Sequence, residues 1–136
     1  MMSPEQAQLS AANPALDVQE LIYRYVSLWN EHDPVLRRQR IEKLWVPDGA
    51  HFWRLGEERG YAALEARVIR SYDKWVAGGK YRFKPAAESV RQHNGIKFSW
   101  LMVSTRDESL EGRGCEVLLL APDGRIQSDY QFPEAA

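Results

Sequence analysis

The sequence contains little cysteine, and neither sign of charge is in excess. Cys115 is the only cysteine among 136 residues, which excludes an internal disulfide and the zinc frameworks that need several cysteines. The formal net charge is −1, and acidic and basic residues are interspersed along the chain. We therefore expect no nucleic-acid partner and no attraction to a membrane surface.

Long apolar runs and cofactor motifs are missing as well. No stretch has the pattern of a signal peptide or a membrane-spanning helix, which predicts a cytoplasmic protein. The three histidines are far apart and show no metal-ligand spacing, and no glycine-rich phosphate loop occurs. We therefore expect neither a metal ion nor another cofactor.

Aromatic residues, in contrast, are abundant, at 11% of the chain. A chain of this length buries about two-thirds of its unfolded surface, which predicts one domain with a sizeable core. Residues 1–14 are polar and include Pro4 and Pro14, so we expect a flexible arm there and a single domain over residues 15–136. Composition does not decide whether the aromatic residues fill the core or line a pocket for a flat ligand.

The spacing of apolar residues predicts helices in the first half of the chain and strands in the second. Helical periodicity covers residues 15–29, 34–45 and 61–77. Between the last two helices, residues 47–49 predict a turn, 50–55 a short strand and 57–60 a loop. Residues 81–92 and 96–104 predict two strands joined by the turn His93-Asn94-Gly95. The layout is α+β.

A final hairpin is predicted around Pro122-Asp123-Gly124, between the apolar run 117–120 and an alternating stretch ending at Phe132. In the first of its strands, Glu116 shares a face with two leucines at 118 and 120. Periodicity alone favours a solvated position for Glu116 at the sheet rim, because ionised carboxylates are rarely buried. The alternative is a carboxyl group that faces a pocket and has a perturbed pKa.

Three segments, taken in order, carry a resemblance to a known family. They are Trp45-Val46-Pro47-Asp48-Gly49, Arg59-Gly60-Tyr61-Ala62-Ala63-Leu64, and Gly114-x-Glu116 running to Asp123-Gly124-Arg125-Ile126. With the order of the helices and strands, they resemble the SnoaL-like, polyketide-cyclase-like branch of the nuclear-transport-factor-2-like superfamily. The resemblance implies a cone-shaped half-barrel, in which three helices pack on a curved, mainly antiparallel sheet and enclose a pocket. It also implies a homodimer through the outer sheet face.

The resemblance implies catalytic residues too. It aligns the oxyanion tyrosine of ketosteroid isomerase, a member of the superfamily, with Tyr25, and that enzyme's oxyanion carboxylic acid with Glu116. The isomerase's general base aligns with Trp53-Arg54 and is absent, so His51, on the same strand face as Trp53, is the substitute. In this hypothesis His51 removes a proton next to a carbonyl group, and the other two residues stabilise the enolate.

The same hypothesis assigns ligand-binding roles to a set of large side chains, each of which is also a natural core residue. The set is Trp29, Trp53, Tyr72, Trp75, Phe98, Trp100 and Leu118. Asp129 and Gln131 share a strand face that is either solvent or the mouth of the pocket. His51 and Tyr25 also have structural interpretations, as a histidine held by one local hydrogen bond and as a core tyrosine.

These observations predict an enzyme of the cyclase/isomerase/dehydratase kind that acts on a small hydrophobic or aromatic carbonyl compound. A binding protein of the same fold without catalysis is the first alternative, and the missing isomerase base favours it. A structural domain whose tryptophans fill its own cavity is the second.

Overall fold

The computed structural model describes residues 16–134, which form three helices and a six-stranded sheet. The helices are α1 (Val18–Leu28), α2 (Pro34–Leu44) and α3 (Tyr61–Ser71), and a π-helical turn (Tyr72–Val76) extends α3. The strands are β1 (Trp45–Trp53), β2 (Gly56–Arg59), β3 (Tyr81–Gln92), β4 (Gly95–Ser104), β5 (Leu110–Leu120) and β6 (Ile126–Glu134). The predicted arm at residues 1–14 lies outside the described residues.

Aspartate side chains determine where the first two helices begin. Asp17 accepts a hydrogen bond from the backbone N–H of Glu20 at 3.1 Å, so α1 starts directly after it and later than predicted. Asp33 accepts one from the backbone N–H of Val35 at 2.9 Å, ahead of Pro34 in the first turn of α2. Each such cap contributes about 1 kcal/mol to helix stability.

The sheet is open and mixed, in the order β2-β1-β6-β5-β4-β3. Only the β1–β6 pair is parallel among the described strands, which confirms a mainly antiparallel α+β fold. The predicted hairpin of β5 and β6 is confirmed, and it pairs Leu118 with Asp129. Asp129 also pairs with His51 of β1. Leu118, Asp129 and His51 therefore lie side by side on three neighbouring strands.

Two local predictions are wrong. Residues 47–49 are not a chain reversal but part of β1, whose pairing with β6 shifts between Trp45 and Ala50. A Cβ atom on Gly49 would lie 2.8 Å from the Trp45 ring and 3.1 Å from the Ile126 carbonyl oxygen, so the glycine permits close packing inside an irregular strand. The predicted loop at 57–60 is largely the edge strand β2, which is short and charged, as exposed edges often are.

The third predicted helix, 61–77, changes form part-way along. It is α-helical only to Ser71 and continues as a π-helical turn, in which the backbone N–H of Ala77 donates to the carbonyl oxygen of Tyr72 at 2.9 Å. Periodicity does not distinguish the two forms over a single turn. π-Helical turns are frequent at functional sites, and this one borders the cavity described below.

The core lies between the helices and one face of the sheet. Helix residues such as Leu21, Leu28, Ile41 and Leu64 pack against sheet residues such as Ile96, Phe98, Leu118 and Ile126, all at most 2% exposed. Burying each of these side chains contributes about 1.5–3 kcal/mol. None of the helices within residues 16–134 is both long and apolar enough to cross a membrane.

Candidate active site

A cavity of about 560 Å³ lies between the helices and the inner face of the sheet. This volume is typical of sites that enclose a small organic ligand. Aromatic side chains form much of its wall, namely Tyr25, Trp29, Trp53, Trp75, Phe83 and Trp100. The expected pocket is therefore present, and four of the five tryptophans border it rather than fill it, while Trp45 is buried in the core.

Asp129 is the centre of a buried polar cluster behind this wall. It is 0% exposed, and its Oδ2 atom accepts a hydrogen bond from the hydroxyl of Tyr25. The Nδ1 atom of His51, which is 1% exposed, lies 2.8 Å from the same oxygen. Asp129 therefore joins the two sequence-predicted residues Tyr25 and His51 into one network.

Glu116 completes the cluster from β5. It is 1% exposed, so the interpretation that placed it at the solvated rim is wrong. Its Oε1 atom accepts a hydrogen bond from the indole N–H of Trp100 at 2.9 Å. Its Oε2 atom and the Oδ1 atom of Asp129 are both buried and have no hydrogen-bond partner among the described residues.

One proton on Glu116 explains both unpartnered oxygens. Glu116, Asp129 and His51 each offer an atom within 4.8 Å of the others' atoms, so the two carboxyl groups are neighbours. Two carboxylates this close and this buried are not both ionised, because burial and repulsion disfavour the second charge. A carboxylic acid proton between Glu116 and Asp129 gives each group the partner that it lacks.

The pKa shifts assign this proton to Glu116. Burial, followed by the charge of Asp129, raises the pKa of Glu116 well above its ordinary value. Burial would also raise the pKa of Asp129, but attraction to His51 and hydrogen bonds from Glu116, His51 and Tyr25 hold that pKa below its ordinary value. Burial and then the charge of Asp129 raise the pKa of the Tyr25 phenol well above its ordinary value. These directions favour a protonated Glu116 beside an ionised Asp129 and a neutral Tyr25.

His51 lies behind the cavity wall rather than on it. Its ring is packed 5.6 Å from the Trp29 ring, and its Nε2 atom is buried without a partner among the described residues. We assign the ring proton to Nδ1, where it can donate to Asp129. His51 is therefore placed to hold Asp129 in its ionised form, and it reaches a ligand only through that residue.

The donor set of His51, Glu116 and Asp129 could also hold a metal ion. Two carboxylates and an imidazole are common ligands of divalent transition metals. However, Oδ2 of Asp129 already accepts from Tyr25 and faces Nδ1 of His51. A single proton satisfies the two remaining carboxyl oxygens, so the carboxyl pair needs no metal ion to complete its hydrogen bonds, while the Nε2 atom of His51 stays without a partner among the described residues.

The sequence-predicted ligand-binding residues divide into two groups. Trp29, Trp53, Trp75 and Trp100 line the cavity. Phe98 and Leu118 lie in the core, at 2% and 0% exposure, and Tyr72 lies under the guanidinium group of Arg37 at 4.8 Å. Phe98 supports the site from behind, because its ring packs edge-on against Tyr25 at 5.4 Å.

Sequence reasoning left Asp129 open between solvent and the mouth of the pocket, and it missed Arg67. Arg67 lies on the cavity wall and is 8% exposed. A signal for it was present, because 64, 67, 68 and 71 form the buried stripe of α3 and an arginine at one of these positions breaks the apolar pattern. For Asp129 the alternation of β6 gave the strand face but not whether that face is buried.

The Trp100 indole is held over the backbone of its β5 partner, Gly114. A methyl group on Gly114 would overlap the indole ring, whereas a methyl group on Gly112 would lie 3.6 Å from the end of Met102, an ordinary contact. Gly114 is thus the position that lets Trp100 approach Glu116.

Gly114→Ala is expected to destabilise the fold by about 1–3 kcal/mol, because the ring must shift out of its place and lose its bond to Glu116. Gly112→Ala, two residues away on the same strand, is the matched control and should change stability by less than about 0.5 kcal/mol. Urea unfolding followed by tryptophan fluorescence measures both variants. Equal stabilities of the two variants would contradict the packing argument.

The described residues have a nuclear-transport-factor-2-like cone fold with an aromatic cavity. Solved structures that share this fold point to one branch of the superfamily. A candidate isomerase of the SnoaL-like family from Agrobacterium tumefaciens matches with a TM-score of 0.77 and 25% identity, over 86% of this chain and 97% of that one. A candidate polyketide cyclase from Sinorhizobium meliloti matches with a TM-score of 0.61 and 13% identity, over 82% and 93%.

A candidate SnoaL-like polyketide cyclase from Jannaschia sp. matches with a TM-score of 0.65 and 9% identity, over 98% of this chain and 90% of that one. No family model and no curated protein matches the sequence. The structural likenesses confirm the resemblance to the SnoaL-like branch of the nuclear-transport-factor-2-like superfamily.

Proposed function

We propose that this protein is a cofactor-independent acid-base enzyme of the cyclase/isomerase/dehydratase kind, acting on a small aromatic or cyclic carbonyl compound. The observation that carries the proposal is the Glu116–Asp129 pair, two neighbouring buried carboxyl groups with opposed pKa shifts, with Glu116 on the wall of an aromatic cavity. Carboxyl groups with opposed pKa shifts in a pocket are typical of acid-base catalysis. The names of the similar structures support the same class of reaction.

The shared proton gives Glu116 two chemical states. With the proton on Glu116, the carboxyl group is a general acid toward a ligand in the cavity. With the proton moved to Asp129, Glu116 is a carboxylate in an apolar setting and hence a strong general base. Glu116 thereby takes the role of the missing isomerase base. In this proposal His51 does not remove the proton from the ligand itself.

The proposed step is the transfer of a proton from the carbon next to the ligand's carbonyl group to Glu116. The C–H electron pair then forms the enolate, and Glu116 returns the proton at another carbon, so that the enzyme is regenerated. While Asp129 carries the shared proton, it is neutral and no longer requires the hydrogen bond that the Tyr25 hydroxyl donates to it. The hydroxyl can then donate its hydrogen bond to the enolate oxygen, as the resemblance implies.

Deuterium exchange tests this proposal without knowledge of the product. A panel of cyclic and aromatic ketones is incubated with the protein in D2O, and loss of the signal from the carbon next to the carbonyl group is followed by proton NMR. Exchange above the buffer rate for at least one compound that binds is expected. Binding without any exchange would reject catalysis and leave the non-catalytic binding protein, which is the second candidate because Tyr25 directs its proton to Asp129 rather than to the cavity.

The outer sheet face supports the expected homodimer. Phe52 and Tyr130 are paired across β1 and β6, and their rings stack there at 4.8 Å. The adjoining Leu119 and Phe132 are 38% and 53% exposed. An exposed apolar patch on a sheet face is typical of an interface between subunits.

Tyr130→Glu is expected to raise the dimer dissociation constant by at least about 30-fold, because it places a charge at the centre of this patch. Val35→Glu, at an apolar and more exposed position on α2 away from the sheet, is the control and should leave the dimer intact. Sedimentation velocity over a dilution series measures both. A wild-type protein that is monomeric at every concentration would refute the interface.

A further inference from the structure

The cavity wall carries more positive than negative charge. Five cationic side chains border it, against the two acidic side chains Glu111 and Glu116. The cationic ones are Arg54, Arg67, Arg70, Lys74 and Arg113. Because the pKa of Glu116 is raised, its carboxyl group offsets this charge less than an ordinary glutamate would. The cavity is therefore suited to a ligand with negative charge.

Arg67 differs from the other cations of the cavity in that it is the buried one and also has no partner. It is 8% exposed, and it takes part in none of the hydrogen bonds or ion pairs found within residues 16–134. Its Nε atom is buried and unpartnered. Arg70, by comparison, is exposed and pairs with Glu58 at 3.1 Å, and Arg113 lies 3.7 Å from Glu134.

Two tryptophans hold the Arg67 guanidinium group in place. Its central carbon lies 3.8 Å from the ring centre of Trp53 and 5.2 Å from that of Trp29. The Trp53 indole is itself fixed, because its N–H donates to Glu58 at 2.7 Å. Glu58 is thus committed to Trp53 and Arg70 and supplies no direct contact to Arg67.

Glu58 lies near enough to favour the charge of Arg67 but forms no hydrogen bond with it. A buried cation without a hydrogen-bonded counter-ion is costly, and an anionic ligand group would offset that cost. Burial lowers the pKa of the Arg67 guanidinium, as expected for a desolvated cation, yet the group keeps its charge because arginine does not deprotonate in proteins. The planar fork of a guanidinium group matches a carboxylate with two parallel hydrogen bonds. Stacked over Trp53, it offers its edge to a flat acid that packs along the same aromatic wall.

We infer that Arg67 is a ligand-binding residue that recognises a carboxylate, and that the substrates are aromatic or cyclic carboxylic acids rather than neutral ketones. This assignment rests on the proposed function in one respect, namely that the same cavity is the substrate site. In this arrangement the carboxylate lies against Arg67, between Trp29 and Trp53, and the carbonyl end of the same molecule is directed toward Glu116.

A matched pair of probes tests the inference by binding alone. 2-Naphthoate and 2-naphthamide have nearly the same shape and differ by one charge. Isothermal titration calorimetry with the wild-type protein should show the acid binding about 10- to 100-fold more tightly than the amide, the usual effect of a charged hydrogen-bonded pair. Equal affinities, or no binding of either probe up to its solubility limit, would overturn the inference.

Variants assign the preference to Arg67. Arg67→Met keeps an unbranched apolar stem against the tryptophans and should abolish the preference for the acid, whereas Arg24→Gln removes an exposed cation of α1 that does not border the cavity and should keep it. If Arg67→Met does not fold, Arg67→Lys, which retains the charge without the planar fork, should still weaken naphthoate binding about 5- to 10-fold. A full preference in Arg67→Lys and Arg67→Met would overturn the assignment.

The two proposals fail separately. If naphthoate binds through Arg67 but no acid on a panel of cyclic oxo acids exchanges its protons in D2O, the acid-base reaction is wrong and the carboxylate site stands. If neutral ketones exchange and the acids do not bind, the reaction stands and the carboxylate site is wrong.

Discussion

Asp129→Asn is expected to lower the free energy of unfolding by about 2–4 kcal/mol, because the centre of the buried cluster loses its charge. Tyr25 donates to the carboxylate, and His51 faces the same oxygen. Asparagine keeps the shape of the side chain but offers one neutral carbonyl oxygen in place of an ionised group. The hydrogen bonds that remain are therefore weaker, and the shared proton loses its acceptor.

The same substitution has a second effect that a purely structural residue would not produce. The charge of Asp129 is the second-largest cause of the raised pKa of Glu116, after burial. The pKa of Glu116 should therefore fall in Asp129→Asn, and proton exchange of a ligand should fall by about 10²-fold because a Glu116 carboxylate with a lower pKa is a weaker general base toward carbon.

Urea unfolding and NMR titration measure these two effects, and Asp48→Asn, an exposed aspartate on β1, is the control. The control should change neither quantity. A variant at 129 that keeps wild-type stability together with the wild-type pKa of Glu116 would show that the two carboxyl groups do not interact.

Glu116→Gln is expected to lower proton exchange or turnover by about 10²-fold or more while the ligand still binds, because an amide neither accepts nor returns the proton. The side chain keeps its size and can still accept the hydrogen bond from the Trp100 indole. The loss therefore falls on the chemical step rather than on binding. Unchanged turnover in Glu116→Gln would remove Glu116 from the mechanism.

Stability of the same variant should depend on pH differently from that of the wild type. The raised pKa means that folded wild-type protein holds a proton that the unfolded chain releases above about pH 4.3, so wild-type stability falls as the pH rises toward the folded-state pKa of Glu116. Glutamine does not titrate. The stability of Glu116→Gln relative to wild type should therefore rise by about 1.4 kcal/mol per pH unit between about pH 4.3 and the folded-state pKa of Glu116.

Glu88→Gln is the control for this pH profile, since Glu88 is an exposed glutamate on β3. Its stability curve should run parallel to that of the wild type. The lowered pKa of Asp129 acts with the opposite sign, and its contribution is lost only as the pH falls below about 3.9. The two carboxyl groups therefore affect separate pH ranges. Parallel curves for wild type and Glu116→Gln would contradict a raised pKa.

The fold was largely predictable because its signals are local and repeated. Helical spacing identified three helices, and turn residues at 93–95 and 122–124 identified two hairpins. The errors occur where a local signal has two outcomes. Pro47-Asp48-Gly49 has the composition of a turn, but close packing of Gly49 against Trp45 makes it an irregular stretch of strand instead.

The site was predictable only in part, since burial of a charged residue depends on its distant partners. The strand pattern placed Glu116 on the correct face, but the rule that ionised carboxylates are rarely buried put it at the rim. That rule fails here because strand pairing brings Trp100 and Asp129, which stabilise the buried carboxyl group, next to Glu116. Arg67 illustrates the same limit. Its position in a buried helical stripe was visible, yet the stacking on Trp53 follows only from the packing of α3 against β1.

Glu116 and Asp129 are proposed to share a single proton, which resides on Glu116. Carbon-detected NMR of the side-chain carboxyl groups, titrated across pH and assigned with Glu116→Gln and Asp129→Asn, locates this proton. The Glu116 carboxyl is expected to stay protonated well above the range of an ordinary glutamate, while Asp129 titrates below that of an ordinary aspartate. Two ordinary titrations, or a proton that resides on Asp129, would contradict it.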